Sequence, residues 1–248
     1  MKTIALIPAR YAATRFPGKL MSRLGDKTVI RHTYETILAT QLFDNVMVVT
    51  DSDIIFNEIV THGGVAIMSR QEHSCGSDRI AEVAEQLPDI DIIVNVQGDE
   101  PFLKKAALEA LLSVFSEPGG ESIDLASLMQ RLIRPEQIDD PNFVKVVTDQ
   151  YGMALLFSRS RIPYPRNPQD VTYYEHIGVY AFRPHALIEF YHTPMTPLEK
   201  VECIECLRYI ESGKKMKMVE VYHVGVEIDT PQDLIEAEKY LKMKNHEV

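Results

Sequence analysis

Residues 3–8 of this chain read TIALIP, and residues 9–19 continue as ARYAATRFPGK. The first segment is apolar enough for a short buried strand, whereas the second has three cations, no acidic residue and no hydrophobic period. Three further apolar segments follow at residues 45–50, 65–68 and 91–96. We therefore predict four short buried strands, the first of which ends in a cationic loop.

The segments between these strands have helical periodicity. Apolar residues of DRIAEVAEQL (78–87) recur at i, i+3, i+4 and i+7, and KKAALEALLSVF (104–115) repeats the pattern. Strands that alternate with amphipathic helices are typical of a parallel sheet covered by helices on both faces. The predicted fold class is therefore α/β.

The second half of the sequence does not continue the alternation of strands and helices. RIPYPRNPQD (161–170) contains three prolines, which exclude regular structure and predict a projecting arm. We find no internal repeat or interdomain linker, and predict one domain, 1–248, with a projecting region at about 151–210. We predict extended chain at residues 144–149, 152–158, 176–182 and 220–228, and a final helix at residues 230–243.

Composition limits the possible partners. The 248 residues are 45% hydrophobic and carry a net charge of −10, which disfavours nucleic acid and anionic membranes as bulk partners. No stretch approaches the roughly 20 apolar residues of a membrane span, and the first apolar run is too short for a signal peptide. We expect no nucleic acid and no membrane partner, and a cytoplasmic protein.

The three cysteines form no even disulfide framework, which fits a reducing compartment. Cys203 and Cys206 spell C-x-x-C, but no second cysteine or histidine pair completes a zinc site. Apolar residues recur around them at helical spacing in LEKVECIECLRYI (198–210). We predict two ordinary thiols within one helix.

Charged residues follow the strands at the positions where doubly wound proteins bind ligands. Like charges held close on one loop repel each other unless an anion lies between them, so the cationic loop predicts a phosphorylated ligand. Neither a G-x-x-x-x-G-K-[ST] loop nor a G-x-G-x-x-G fingerprint is present, which disfavours P-loop hydrolysis and dinucleotide redox chemistry. The residues that follow the first, second and fourth strands are Arg10, Arg15 and Lys19, then Asp51, then Gln97 and Asp99.

Asp51 and Asp229 each have a structural explanation, as part of a helix cap, besides a ligand-binding one. Asp51 and Ser52 precede a helical segment, and we predict that they cap it. In IDTPQDL, Thr230 as N-cap and Pro231 at the first helical position explain the motif around Asp229 without any ligand.

Six motifs carry a family resemblance that runs in order from residue 4 to about residue 234. They are IPARYAATRFPGK, HSCGSDR, VNVQGDEP, FSRSRIPYPR, HIGVYAF and IDTPQDL. Together they resemble the 3-deoxy-manno-octulosonate (Kdo) cytidylyltransferases, or CMP-Kdo synthetases, of lipopolysaccharide synthesis. The first motif alone also suits sialic acid cytidylyltransferases and other sugar nucleotidyltransferases.

The resemblance implies a mononucleotide-binding fold like that of nucleotide-diphospho-sugar transferases, with a smaller dimerisation region. It implies a homodimeric transferase that uses CTP, Mg²⁺ and Kdo to make CMP-Kdo and pyrophosphate. Carried over residue by residue, it assigns Arg10, Arg15 and Lys19 to the triphosphate, Ala9, Ser77 and Arg79 to the nucleotide, and Asp99 and Asp229 to magnesium. It assigns Gln97, Arg159, Arg166, His176, Tyr180 and Glu205 to the sugar acid, and implies that Arg10, Lys19 and Asp99 act in catalysis.

One departure leaves the sugar open. The family usually has glutamine after the glutamate that matches Glu205, and this chain has Cys206. Kdo and a close analogue such as 8-amino-Kdo therefore both stay possible substrates. A non-catalytic nucleotide-sugar-binding protein and a glycosyltransferase are alternative functions. A glycosyltransferase typically has a metal-binding D-x-D at a strand end, whereas the D-x-D strings of this chain, at 51–53 and 89–91, fall at a helix start and before a strand.

Overall fold

A computed structural model of the chain describes residues 1–12, 16–71, 73, 75–87, 89–222 and 226–246. The chain divides into two compact units. The first comprises Met1–Lys105 together with Val224–Val248, and the second comprises Ala106–His223. The fold is α/β, as the sequence predicts.

A parallel sheet forms the centre of the first unit. Its strand order is β6-β1-β4-β5, and each neighbouring pair is parallel. These four strands confirm the four apolar segments of the sequence; β2 and β3 form a separate antiparallel hairpin. The strands of this unit are β1 (Thr3–Ala9), β2 (Arg23–Leu24), β3 (Lys27–Thr28), β4 (Asn45–Thr50), β5 (Ala66–Met68) and β6 (Ile92–Asn95).

Helices cover the strands and confirm the periodic segments of the sequence. Those of the described residues are α1 (Val29–Ala39), α2 (Asp53–Thr61), α3 (Gly76–Ala84), α4 (Lys105–Ser113), α5 (Pro135–Asp139), α6 (Pro184–His192), α7 (Pro197–Glu202), α8 (Leu207–Glu211) and α9 (Pro231–His246). None of them combines the length and apolar character needed to cross a membrane. In the first unit, α1 and α3 pack on β1 and β4. Every residue of β1 is buried, as expected for a central strand with both faces covered.

This packing determines where ligands can approach the first unit. Because β1, β4 and β6 are parallel, their carboxyl ends lie at one edge of the sheet. The described segments 10–12, 16–19, 51–52 and 96–101 follow these three strands and therefore meet at that edge.

A mixed sheet forms the second unit. Its strand order is β11-β7-β10-β8-β9, in which β11 and β7 are parallel and the other pairs are antiparallel. These strands confirm the extended segments predicted at 144–149, 152–158 and 176–182, and 161–170 has no helix or strand, as predicted. β11 overlaps the predicted extended segment 220–228 only at Glu220. Residues 223–225 of that segment lie outside the described residues. The strands are β7 (Leu125–Arg131), β8 (Lys145–Thr148), β9 (Ala154–Ser158), β10 (Tyr174–Phe182) and β11 (Met216–Glu220).

The prediction of one helix through both C-x-x-C cysteines is wrong. Helix α7 ends before Cys203, whose φ of 53° is left-handed, and Cys206 is the N-cap residue of α8. The apolar spacing did not mark one helical face, because Val201 is exposed while Ile204 is buried. All three cysteines are free thiols, and the described residues place neither Cys203 nor Cys206 in a metal-ligating cluster.

Candidate active site

A crevice of about 460 Å³ lies in the first unit, beside the carboxyl ends of β1 and β6. Its size is that of an ordinary small-molecule site. Its walls are formed by the segment after β1, the start of α3, the segment after β6, and Asp229. The predicted site residues that line it are Ala9, Arg10, Lys19, Arg79, Gln97, Asp99 and Asp229.

An ammonium lies between two carboxylates in this crevice. Lys19 Nζ donates one hydrogen bond to Asp229 Oδ1 at 2.8 Å and another to Asp99. Burial alone would lower the pKa of Lys19, but the two carboxylates outweigh that effect and raise it. The chain thus brings together residues that are 80 and 210 positions from Lys19 in sequence.

Glu227 is a third acidic residue at this place and was not predicted from the sequence. Carboxylate oxygens of Asp99, Glu227 and Asp229 all lie within 4.8 Å of one another. Although Glu227 is exposed, partial desolvation of its carboxyl group and the charges of Asp99, Glu100 and Asp229 raise its pKa above the usual range. Residues two apart in extended chain point to the same side, so the spacing of Glu227 and Asp229 was the available signal.

The position of Asp229 combines a structural role with a site role. Its backbone N–H donates to Asp233 Oδ2 at 3.0 Å, and Thr230 Oγ1 accepts from the Asp233 N–H at 3.3 Å. Thr230 and Pro231 therefore begin α9 as the sequence predicts. The Asp229 carboxylate is not needed for this cap and instead contacts Lys19.

The cationic loop is described in part. Arg10 is exposed and lines the crevice, and Gly18 adopts a left-handed φ of 70° directly before Lys19. This conformation favours glycine and lets the chain turn so that Lys19 enters the crevice. Arg15, the third predicted cation of the loop, lies outside the described residues.

The start of α3 forms the opposite wall. Gly76 approaches so closely that a Cβ there would lie 3.1 Å from Pro8 Cγ. Asn95 Nδ2 donates to Ser77 Oγ at 3.2 Å, so Ser77, a predicted nucleotide-binding residue, is held against the end of β6. Ser77 is buried.

Arg79 pairs with Asp51, which was predicted from the sequence to cap α2. Arg79 Nη2 donates to Asp51 Oδ2 at 2.7 Å. Ser52 does occupy the N-cap position of α2, but it makes no side-chain cap hydrogen bond. The prediction that these side chains cap the helix is wrong, because the Asp51 carboxylate is engaged by a guanidinium from α3.

In the second unit, two predicted sugar-binding residues lie side by side. The ring centroids of His176 and Tyr180 are 5.4 Å apart, and the ring of Phe157 packs against that of His176 with centroids 4.9 Å apart. His176 Nε2 and Ser127 Oγ form a 3.0 Å hydrogen bond. Desolvation by this packing lowers the pKa of His176 to about 3, so the ring is neutral near pH 7.

The remaining predicted sugar-binding residues have different surroundings. The Arg159 guanidinium donates to three main-chain carbonyls, those of Glu202 at 2.7 Å, Pro141 at 2.9 Å and Cys203 at 3.3 Å. Arg166 is exposed, and Glu205 is half-buried. Their assignment to the sugar acid stays a prediction.

The Cys206 thiol is buried in the second unit. Burial, with a further contribution from the nearby Glu205 carboxylate, raises the pKa of this thiol well above its usual value, and the thiol also makes a hydrogen bond with Tyr180. The residue that departs from the family pattern is therefore a neutral hydrogen-bonding group next to a predicted sugar-binding tyrosine.

Comparisons with known proteins agree along nearly the whole chain. A family model described as cytidylyltransferase matches residues 4–216. The 3-deoxy-manno-octulosonate cytidylyltransferase of Flavobacterium johnsoniae is 58% identical over 243 residues, 98% of this chain and 99% of that protein. That of Christiangramia forsetii is 57% identical over 241 residues, 97% of each chain. A solved structure of CMP:2-keto-3-deoxy-manno-octonic acid synthetase complexed with CTP has a TM-score of 0.92 and 34% identity, and covers 98% of this chain and 100% of that one.

Proposed function

Because this chain belongs to the 3-deoxy-manno-octulosonate cytidylyltransferases, we propose that it joins Kdo to the CMP part of CTP in a Mg²⁺-dependent reaction. The products are CMP-Kdo, for lipopolysaccharide synthesis, and pyrophosphate. The observation that carries the proposal is the crevice in which Lys19, Asp99 and Asp229 converge beside the cationic loop. Charge develops on phosphate oxygens in such a transfer, and these residues supply the cation and the metal-binding carboxylates that it requires.

The acidic cluster suits Mg²⁺. Its members offer carboxylate oxygens only, and among the described residues no histidine or cysteine joins them, which matches a cation that prefers oxygen ligands. Asp99 and Asp229 would hold the ion, with Glu227 beside them. A bound Mg²⁺ would stabilise charge on the α-phosphate and lower the pKa of the attacking sugar hydroxyl.

The chain's own cations and backbone would bind the nucleotide. Lys19 and Arg10 would neutralise the departing pyrophosphate, and preorganised contacts of this kind are each worth about 10²–10³ in rate. The backbone of Ala9 and the side chains of Ser77 and Arg79 would hold the nucleoside. Arg15 would complete the triphosphate loop.

We propose that Gln97 contacts the sugar acid, and that the family assignments also hold for the sugar-binding candidates of the second unit. The exposed guanidinium of Arg166 suits a carboxylate, whereas that of Arg159 would orient the turn at Cys203 through its carbonyl contacts. Neutral His176 and Tyr180 would donate or accept hydrogen bonds to sugar hydroxyls without proton transfer. Glu205 would accept hydrogen bonds from hydroxyl groups.

A homodimer is part of the proposal. β9 pairs only with β8 among the described strands, and its Leu155 is 57% exposed. Val201 of α7 is 82% exposed. An open strand edge with apolar side chains is normally covered by a partner, and a second copy would cover it symmetrically. The three free thiols support a cytoplasmic location.

A pyrophosphate-release assay tests the proposed function. The protein is supplied with CTP and with Kdo, 8-amino-Kdo or sialic acid, each with and without Mg²⁺. We expect Mg²⁺-dependent release of pyrophosphate with Kdo or its 8-amino analogue. Release with sialic acid alone would indicate a different sugar nucleotidyltransferase, release of CMP a glycosyltransferase, and binding without turnover a nucleotide-sugar-binding protein.

A further inference from the structure

A β-bulge in β10 brings His176 next to Tyr180. The two residues are four positions apart in β10, but they pair with Met129 and Ser127, which are only two positions apart in β7. The irregularity lies between Ile177 and Tyr180. A bulge of this kind redirects the side chains that flank it, and the ring centroids of His176 and Tyr180 lie 5.4 Å apart as a result.

The Ser127 hydroxyl contacts three groups of the bulged strand. Its Oγ lies 2.9 Å from the carbonyl oxygen of Val179, 3.1 Å from that of Ile177 and 3.0 Å from His176 Nε2. Ser127 has no exposed surface. These contacts are therefore made without competition from bulk water, and a mismatch of donors and acceptors here would be costly.

This set of contacts determines where the protons are. A hydroxyl has one proton and a carbonyl oxygen only accepts, so the Ser127 proton lies towards the carbonyls of Ile177 and Val179. If it were donated to His176 instead, Oγ would face two carbonyl oxygens with no proton between them. Ser127 Oγ is consequently the acceptor of an N–H from His176 Nε2. The ring is neutral near pH 7 and has only one proton, which leaves Nδ1 unprotonated.

The second ring nitrogen, Nδ1, is open to a ligand. Within the described ranges, the side-chain hydrogen bond of His176 is the one with Ser127. Nδ1 has no partner there, yet it is not among the buried unpaired polar atoms of the described residues, so it retains accessible surface. An unprotonated imidazole nitrogen can only accept a hydrogen bond, and a hydroxyl group of a sugar acid can donate one.

We propose that Ser127 is a positioning residue for the sugar acid: it holds His176 with the ring proton on Nε2, so that Nδ1 accepts a hydrogen bond from a sugar hydroxyl. The inference rests on the proposed function, which assigns His176 to the sugar acid. Ser127 itself does not contact the ligand and acts through His176. The tautomer of a histidine is set by the partner of its other nitrogen, and here that partner is a serine whose own proton is already committed to the backbone.

NMR of the protein with isotope-labelled histidines reads out the tautomer directly, because the nitrogen chemical shifts of a neutral ring depend on which nitrogen has the proton. The His176 signals are those that disappear in His176→Phe, which keeps a ring between Phe157 and Tyr180. We expect the proton on Nε2 in the wild type at pH 7. In Ser127→Ala, Nε2 loses its acceptor and the form with the proton on Nδ1 should become populated.

Steady-state kinetics give the second readout. The KM for Kdo should rise about 10-fold in Ser127→Ala, while the KM for CTP and kcat stay close to the wild-type values, because the contact is made equally in the ground and transition states. In a His176→Phe background, Ser127→Ala should change the KM for Kdo little further. Ser122→Ala is the matched control, since it removes an exposed hydroxyl that donates to the carbonyl of Gly119 at 2.8 Å.

A wild-type His176 with its proton on Nδ1 would overturn the inference, and that measurement needs no variant of Ser127 to fold. A folded Ser127→Ala protein with an unchanged tautomer and an unchanged KM for Kdo would also overturn it. Ser127→Cys, which is close in size and bonds weakly, should be intermediate in both readouts and decides the matter if Ser127→Ala does not fold. A wild type that has the proton on Nε2 but releases no pyrophosphate with any sugar acid would overturn the proposed function, and Ser127 would still be the residue that fixes the ring.

Discussion

Lys19 Nζ lies 2.8 Å from Asp229 Oδ1 and also donates to Asp99, so that one ammonium bridges two carboxylates from distant parts of the chain. The same carboxylates are the proposed ligands of Mg²⁺. An ammonium and a divalent cation cannot both neutralise them fully at once. Metal binding must therefore weaken the contacts of Lys19, whose ammonium is then available to phosphate.

Replacement of Lys19 should consequently have opposite effects on metal binding and on turnover. We expect Lys19→Met to bind Mg²⁺ or Mn²⁺ more tightly without nucleotide, because the competing charge is gone, and to lose about 10²–10³ in kcat/KM. Titration calorimetry measures the first quantity and pyrophosphate release the second. Lys27→Met, which removes a lysine paired with Glu35 at 2.7 Å, is the control. Unchanged metal affinity in Lys19→Met would contradict the competition.

Asp229→Asn should separate the cap of α9 from the metal site. The cap uses the Asp229 N–H and the Asp233 carboxylate, both of which remain, so we expect little change in melting temperature. Activity should fall by orders of magnitude, because an anionic ligand is lost. Asp99→Asn should behave alike, and the double variant should be far less than multiplicatively worse.

Asp233→Ala gives the reverse pattern and is the matched comparison. It removes the side chain that accepts from Asp229 N and Thr230 N and should cost about 1 kcal/mol of stability. An active Asp229→Asn enzyme with an unshifted dependence on Mg²⁺ concentration would leave Asp99 as the metal ligand and Asp229 as part of the cap.

The sequence predicts the sheet of the first unit because its strands are continuous apolar runs. The residues directly after these runs then predict the crevice, since parallel strands bring their carboxyl ends together. Glu227 was missed because it lies in irregular extended chain before α9, with no periodicity to mark it. Asp51 was misinterpreted because a carboxylate before a helix is compatible with a cap, and only the fold brings Arg79 to it.

The break between α7 and α8 is a different kind of failure. Apolar residues around Cys203 continue at helical spacing, and nothing in that pattern indicates the left-handed backbone at this cysteine. Burial of Ile204 is achieved by the turn itself. Hydrophobic spacing reports which residues are buried but not whether a helix or a turn buries them.

A substitution on the open edge of β9 should test the dimer. Leu155→Glu and Val201→Glu each place a charge on exposed apolar positions of the second unit, where burial in a partner would be costly. We expect a wild-type dimer at micromolar concentration in sedimentation velocity and monomers of about 28 kDa for the variants. Ile133→Glu, at a residue 84% exposed outside 151–210, should remain dimeric. A monomeric wild type would contradict the homodimer.

The packed ring of His176 should make stability depend on pH in a defined direction. Its pKa is lowered to about 3 in the folded protein, against about 6.5 for an unperturbed histidine. Between these values the unfolded chain binds a proton that the folded protein does not. The stabilising contribution is therefore complete above pH 6.5 and is lost as the pH falls towards 3.

Urea unfolding of the wild type and of His176→Gln at pH 7, 6 and 5 measures this effect. Other groups titrate in both proteins, so the informative quantity is the difference between their unfolding free energies. We expect the wild type to lose up to about 2 kcal/mol relative to the variant between pH 7 and pH 5. Parallel pH curves for wild type and His176→Gln would show that His176 takes up its proton as readily in the folded protein as in the unfolded chain.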